Sequence, residues 1–334
     1  MYDLRIGIIG AGGMGTAHAK NIVGLGAEIA CVHDVRVDAA QGLASAVDCD
    51  CATDSLDTLF GRELDGVVLT TPPAVRVAPV RMACERDISL MIEKPPAFSM
   101  SDGAECASLM QGREMFAAVG FQLRYSPLFE RLREMLVGET VHLARTVCTI
   151  DYYLTFGMSP WFLRRADSGG PIAEQAIHVL DCARYVLGDP QPVRAAAFAT
   201  KNMAHDRPEF DAENAVQIAY ELDSGVFATH MNHCGTERFA FDVELIGPHL
   251  RLRADVTENR IVGYLHGEDI AEPAPASNSI GLDKIGAWLE AIDTGDHSLI
   301  RSPYDDALHT LALVEAAREA GDTGEMTHVR GHEI

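Results

Sequence analysis

The chain opens with an apolar run at residues 4–9. It breaks at Gly10-Ala11-Gly12-Gly13-Met14-Gly15, and a helical pattern then reaches Ile22. A second apolar run over residues 27–33 ends at Asp34. The same alternation continues with a helix near Ser55-Leu56, a strand at 66–70 and a helix at 74–85. Another strand follows at 88–92, a helix at 100–111 and a strand at 115–120. Continuous apolar strands separated by helical segments predict a doubly wound parallel sheet, an α/β fold of Rossmann type with helices on both faces.

Beyond Phe121 the period changes. Ser126-Pro127 opens an amphipathic helix with Phe129, Leu132 and Leu136 on one side. Period-two alternation then marks strands at 142–154, 215–222, 226–232 and 239–246, with hairpin signals at Asp223-Ser224-Gly225 and at Gly235. These strands predict a second α/β domain with a large, open, mostly antiparallel sheet. Ser302-Pro303-Tyr304-Asp305 predicts the start of a last helix that ends before Gly321. The expected division is residues 1–121 and 122–334.

Composition narrows the function classes. The 334 residues are 47% hydrophobic and 23% charged, enough for two globular cores. The net charge of −22 argues against nucleic acid or an anionic membrane as partner. No apolar run approaches the roughly 20 residues of a membrane span. The opening strand leaves no room for a secretory leader, so a cytoplasmic protein is expected. The eight cysteines are scattered without a CxxC pair, so reduced thiols and no metal site are expected.

Three groups of residues carry candidate chemistry. Gly10, Gly12 and Gly15 form a G-x-G-x-x-G turn between a strand and a helix. Asp34 follows nineteen residues after Gly15, the spacing at which an acid reaches the ribose hydroxyls of a dinucleotide. The acid favours NAD over NADP, while nearby Arg36 keeps NADP open. Lys94 stands at the end of the 88–92 strand in Glu93-Lys94-Pro95-Pro96 and is one of four lysines, with Lys20, Lys201 and Lys284. Alone, that position fits a turn or a proton-transfer site equally. Finally, Gly169-Gly170-Pro171 opens a helix on which Glu174, His178 and Asp181 are predicted to share one face, either a cleft wall or a solvated surface. His18, inside the first helix, reads as structural.

Together these motifs, with Thr71-Pro72-Pro73 and Gly120-Phe121-Gln122, resemble the Gfo/Idh/MocA oxidoreductases over essentially the whole chain. The resemblance implies NAD(P)-dependent transfer of hydride between nicotinamide and a secondary hydroxyl or carbonyl of a sugar, inositol or related polyol. Redox-assisted glycoside cleavage or elimination, and a non-catalytic dinucleotide sensor, are the alternatives. It implies Lys94, His178 and Glu174 as catalytic residues. Expected cofactor contacts are Gly10, Gly12, Gly13, Met14 and Gly15; Asp34, Val35 and Arg36; Thr71, Pro72 and Arg76; and Glu93, Lys94, Gln122, Trp161 and Arg164. Expected substrate contacts are Lys94, Tyr153, Gln175, His178 and Asn232. Glu174 replaces an aspartate and Arg76 a histidine common in relatives. The peptide before Pro95 is often cis in such proteins, and a homodimer or homotetramer through the second sheet is expected.

Overall fold

The computed structural model describes residues 2–151, 161, 164–201, 210–276 and 279–331. They form two compact units. The first comprises Met1–Ala97, Ser101–Gln122 and Asn278–Asp305; the second comprises Phe98–Met100, Leu123–Ser277 and Asp306–Ile334.

The first unit is a six-stranded parallel sheet made of β1 (Arg5–Ile9), β2 (Glu28–His33), β3 (Ala52–Thr53), β4 (Gly66–Leu69), β5 (Ser89–Ile92) and β6 (Ala117–Val119). Its strand order, β3-β2-β1-β4-β5-β6, reverses direction between β1 and β4. Ligands of doubly wound sheets bind at such a reversal, outside the carboxyl ends of the strands. Ile6, Ile8, Val32, Val68 and Met91 fill the core.

The segment Asn278–Asp305, expected in the second domain, belongs to this first unit. Its helix Ile280–Thr294 starts at Ser279, whose Oγ accepts from the Leu282 amide, and stops at Gly295 in the left-handed conformation. Ile285, Trp288 and Leu289 are buried on one helical stripe. The Trp288 ring lies so close to Gly66 that a Cβ there would stand 2.6 Å from it. Ser302 then donates to the Val119 carbonyl at 2.7 Å. A single division by sequence pattern missed this return because the apolar stripe of one helix does not say which sheet it covers.

Cys31 and Cys51 are joined as a disulfide, with Cα atoms 4.6 Å apart. This corrects the expectation of eight reduced thiols. The reason is the pairing of β2 with β3, where Val32 stands beside Ala52 and brings the preceding residues together.

The second unit holds a nine-stranded sheet. Its strands are β7 (Leu143–Asp151), β8 (Pro192–Thr200), β9 (Ala215–Leu222), β10 (Phe227–His233), β11 (Gly235–Gly247), β12 (Leu250–Asp255), β13 (Arg260–Leu265), β14 (Glu268–Pro273) and β15 (Thr327–His328). The order is β14-β13-β12-β11-β7-β10-β9-β8-β15. Every pair is antiparallel except β7 with β10. The turn at Gly225, with φ +85°, makes the expected hairpin between β9 and β10. Gly235 does not make one: β11 pairs with β7, so the chain passes the end of β7 between β10 and β11.

The last helix, Tyr304–Thr323, runs past Gly321 and ends where Gly324 takes φ +74°. A Cβ on Gly321 would lie 3.3 Å from that of Ala199 on β8. That glycine serves close packing rather than helix termination. Among the described residues no helix is long and apolar enough to cross a membrane.

Candidate active site

In the first unit the glycine turn joins β1 to the helix Gly13–Gly24. Gly10 has φ +103°, and a Cβ on Gly15 would stand 1.9 Å from the Gly10 carbonyl oxygen. Both positions therefore require glycine. At Gly12 and Gly13 a Cβ would meet nothing within 4 Å, which leaves an open approach to the backbone. Gly12 caps the helix without a side chain, so the first-turn amides at Gly13, Met14 and Gly15 have no side-chain cap. Such an N-terminus suits a pyrophosphate. The Asp34 carboxylate, just beyond β2, accepts from the amides of Ala11 at 2.8 Å and Arg36 at 2.9 Å, tying the second strand's edge to the turn. Val35 and Arg36 beside it are exposed. This chain's own backbone thus fits a dinucleotide.

Thr71 and Pro72 follow β4, and Lys94 follows β5, all at the carboxyl edge of the sheet. The Lys94–Pro95 peptide is cis. Lys94 is half-buried, and Gln122 begins a 3-10 turn shortly after β6.

Two expected cofactor residues turn inward. The buried Arg76 guanidinium donates to the carbonyls of Glu93 and Pro95, and to that of Thr71 at 2.6 Å. It braces the Thr71 loop against the lysine loop. The Glu93 side chain is also buried. Its Oε1 accepts from His18 Nε2 at 2.8 Å and from Lys284 Nζ at 3.0 Å, and its Oε2 accepts from the Lys94 amide at 3.2 Å. Burial pushes the Glu93 pKa up, but Lys284, His18 and Lys94 outweigh it and hold the carboxyl well below its ordinary value. Burial and Lys284 lower the His18 pKa, against the pull of Glu93. Sequence reasoning did not connect these groups.

In the second unit Gly169 and Gly170 both take positive φ, and a π turn, Ile172–Ala176, precedes the helix Ile177–Val186. The π turn adds a residue to its turn and breaks the simple phase between Glu174 and His178. Glu174 and Gln175 are buried and His178 is half-buried. Asp181 does not share a cleft wall with them. It is fully buried and takes both oxygens to Arg124, at 2.7 and 2.8 Å.

The His178 ring lies 6.2 Å from that of Phe241. Across the sheet Phe241 pairs with Cys148, Cys148 with Asn232 and Asn232 with Val216. Asn232 is 3% exposed, and neither of its amide atoms has a hydrogen-bond partner among the described residues. A buried amide left bare costs about 1–3 kcal/mol, so this position suits a polar partner. Arg164 is exposed and pairs with Asp167 at 2.6 Å, and Trp161 is half-buried. Both belong to the second unit. Tyr153 lies outside the described residues.

Residues 4–121 match the family model described as an oxidoreductase family with an NAD-binding Rossmann fold, and residues 129–252 match the GFO/IDH/MocA C-terminal domain. The chain belongs to the Gfo/Idh/MocA family. Relatives within it include the uncharacterized oxidoreductase YrbE of Bacillus subtilis, 28% identical over 66% of this chain and 64% of its own length. The match to the inositol 2-dehydrogenase of Mycolicibacterium gilvum spans only 54% of that protein, at 29% identity over 57% of this chain. That of Rhizobium meliloti is 27% identical over 94% of this chain and 96% of its own. Among solved structures, levoglucosan dehydrogenase with NADH and levoglucosan superposes with a TM-score of 0.87 at 15% identity, covering 98% of this chain and 99% of its own. GenD2 from gentamicin A biosynthesis, in complex with NAD, gives 0.85 at 19%, covering 99% and 97%. The sequence-expected family and fold class, a Rossmann sheet followed by a largely antiparallel one, both hold.

Proposed function

We propose that this Gfo/Idh/MocA protein is an NAD-dependent dehydrogenase acting on a secondary hydroxyl of a sugar, inositol or related polyol. The observation that carries the reading is the uncapped glycine turn with Asp34 at the β1/β4 reversal, whose carboxyl edge also presents Lys94. The names of relatives, inositol 2-dehydrogenase and levoglucosan dehydrogenase, agree with it.

Bound nicotinamide supplies the hydride acceptor. His178 takes the hydroxyl proton as a general base, and Lys94 stabilises the developing negative charge on oxygen and hands on the proton. Glu174 orients His178. Asn232 and Gln175 bind neighbouring hydroxyls. Gly12 and Gly13 admit the pyrophosphate, and Asp34 holds the ribose hydroxyls and disfavours a 2′-phosphate, with NADP as the weaker cofactor.

The exposed side of the second sheet carries Phe198, Phe227, Met231 and Tyr264. An apolar sheet face of this kind calls for a cover, and a second copy of the chain is the proposed one.

The test uses two neighbouring glycines. Gly12→Val should fold with an unchanged thermal midpoint, because its side chain enters open space, while NAD affinity falls by at least about tenfold as that space is the ligand's. Gly15→Val should instead lose stability, since its Cβ meets the Gly10 carbonyl. Calorimetric titration of Gly12→Val with wild-type affinity would sink the assignment.

A further inference from the structure

We infer that Lys284 is the counter-ion that fixes the Glu93–Lys94 segment, and that His18 takes over its charge when the lysine is lost. Lys284 would then be a positioning residue for Lys94. The part that concerns Lys94 rests on the proposed function; the charge exchange does not.

Glu93 is enclosed by four neighbours. His18 reaches it from the helix Gly13–Gly24, Lys284 from the helix Ile280–Thr294, Lys94 follows it in the chain, and Gly120 lies against the carboxylate. A Cβ on Gly120 would stand 2.7 Å from Oε1, so no side chain fits there. One carboxylate oxygen is shared by His18 and Lys284. The other holds the Lys94 amide. The carboxylate therefore transmits its own fixation to the backbone of Lys94, while Arg76 grips the carbonyls of Glu93 and Pro95.

A buried carboxylate without a counter-ion is strongly unfavourable. Lys284, at 0% exposure, supplies the charge in the intact protein. That leaves His18 neutral, its Nε2–H donating to Glu93 and its Nδ1 without a hydrogen-bond partner among the described residues. Without Lys284, a proton on His18 would restore the pair. It would leave one buried N–H unpaired, a smaller cost than an uncompensated carboxylate.

The sign of the pH dependence then inverts. In the wild-type protein the His18 pKa lies below its ordinary value of 6.5, so its contribution to stability is lost as pH falls below that value. Glu93, held below its ordinary 4.5, acts in the same direction at lower pH. In Lys284→Met the His18 pKa rises above 6.5. Stability is then present at low pH and lost as pH rises through the new value.

The experiment follows the His18 imidazole by NMR in the full chain, assigned with His18→Asn, together with the thermal midpoint from about pH 6 to about pH 8.5. Wild type should show His18 titrating below 6.5, and His18→Asn a midpoint without alkaline loss. Lys284→Met should show His18 titrating above 6.5 and a midpoint that falls toward alkaline pH. An imidazole that stays neutral in Lys284→Met, or a variant unfolded at both ends of the range, would overturn the proposal. With saturating NAD and substrate, kcat of Lys284→Met should decline with the protonated fraction of His18. A titrating His18 with a pH-independent kcat would uphold the counter-ion and overturn Lys284 as a positioning residue for Lys94.

Discussion

Replacing His178 by alanine is expected to lower kcat by about 10²–10⁴-fold, the usual worth of a positioned general base. NAD affinity should stay within about twofold, because the glycine turn and Asp34 belong to the first unit and His178 to the second. The π turn ahead of the helix fixes the register of His178, and Phe241 packs beside its ring, so the loss is of the imidazole and not of the fold. Lys94→Ala should lose kcat over the same range. If both residues serve one proton transfer, the double variant should be little worse than the poorer single, since groups acting as a unit are far from additive. Steady-state rates at saturating NAD, with the affinity of each variant measured separately, decide this. Additive losses would separate the two residues into independent roles.

Arg124→Ala is expected to cost about 3–5 kcal/mol of unfolding free energy, the range for stripping one partner from a buried ion pair. Burial opposes the Arg124 charge, yet Asp181, Asp306 and Asp189 together hold its pKa above the ordinary value. Asp181 is 0% exposed, and besides Arg124 it accepts from the Thr310 hydroxyl at 3.0 Å. Without the guanidinium a buried carboxylate keeps one neutral donor. Asp181→Ala should cost less, because Arg124 retains Asp306 at 2.6 Å. An apolar swap at both positions should recover most of the loss, as buried pairs replaced by packed hydrophobic side chains often do. Urea unfolding of the four proteins checks the order. Arg124→Ala within about 1 kcal/mol of wild type would show the pair to be dispensable. Since Asp181 lies one turn from His178 on the same helix, this pair also anchors the helix that carries His178.

What the sequence disclosed follows the range of the interactions involved. The glycine turn, Asp34 and the strand leading to Lys94 are local, and the structure has them at the strand ends where periodicity predicts them. The hairpin at Gly225 is local too. Gly235 looks the same in sequence, but its strand is claimed by β7, far away in the chain. Gly321 resembles a helix stop until β8 is seen against it. Asp181 lies one turn from His178 on a regular helix, but the buried Arg124 claims it, and the π turn ahead of that helix takes Glu174 out of phase with both. Glu93 and Arg76 were expected at the cofactor, yet their partners, Lys284 and the backbone of neighbouring loops, occupy them from within. Side chains whose partners lie tens to hundreds of residues away carry no local signature of that commitment.

The most direct test of the central claim is a reduction assay. Purified protein with bound NAD confirmed would be offered a panel of inositols, sugars and sugar derivatives, with NAD and NADP separately, and followed at the nicotinamide absorbance. The account predicts NADH formation with at least one polyol, faster than with NADP, and its near abolition in His178→Ala. NAD bound but unreduced across the whole panel, or undiminished turnover in His178→Ala and Lys94→Ala, would contradict it.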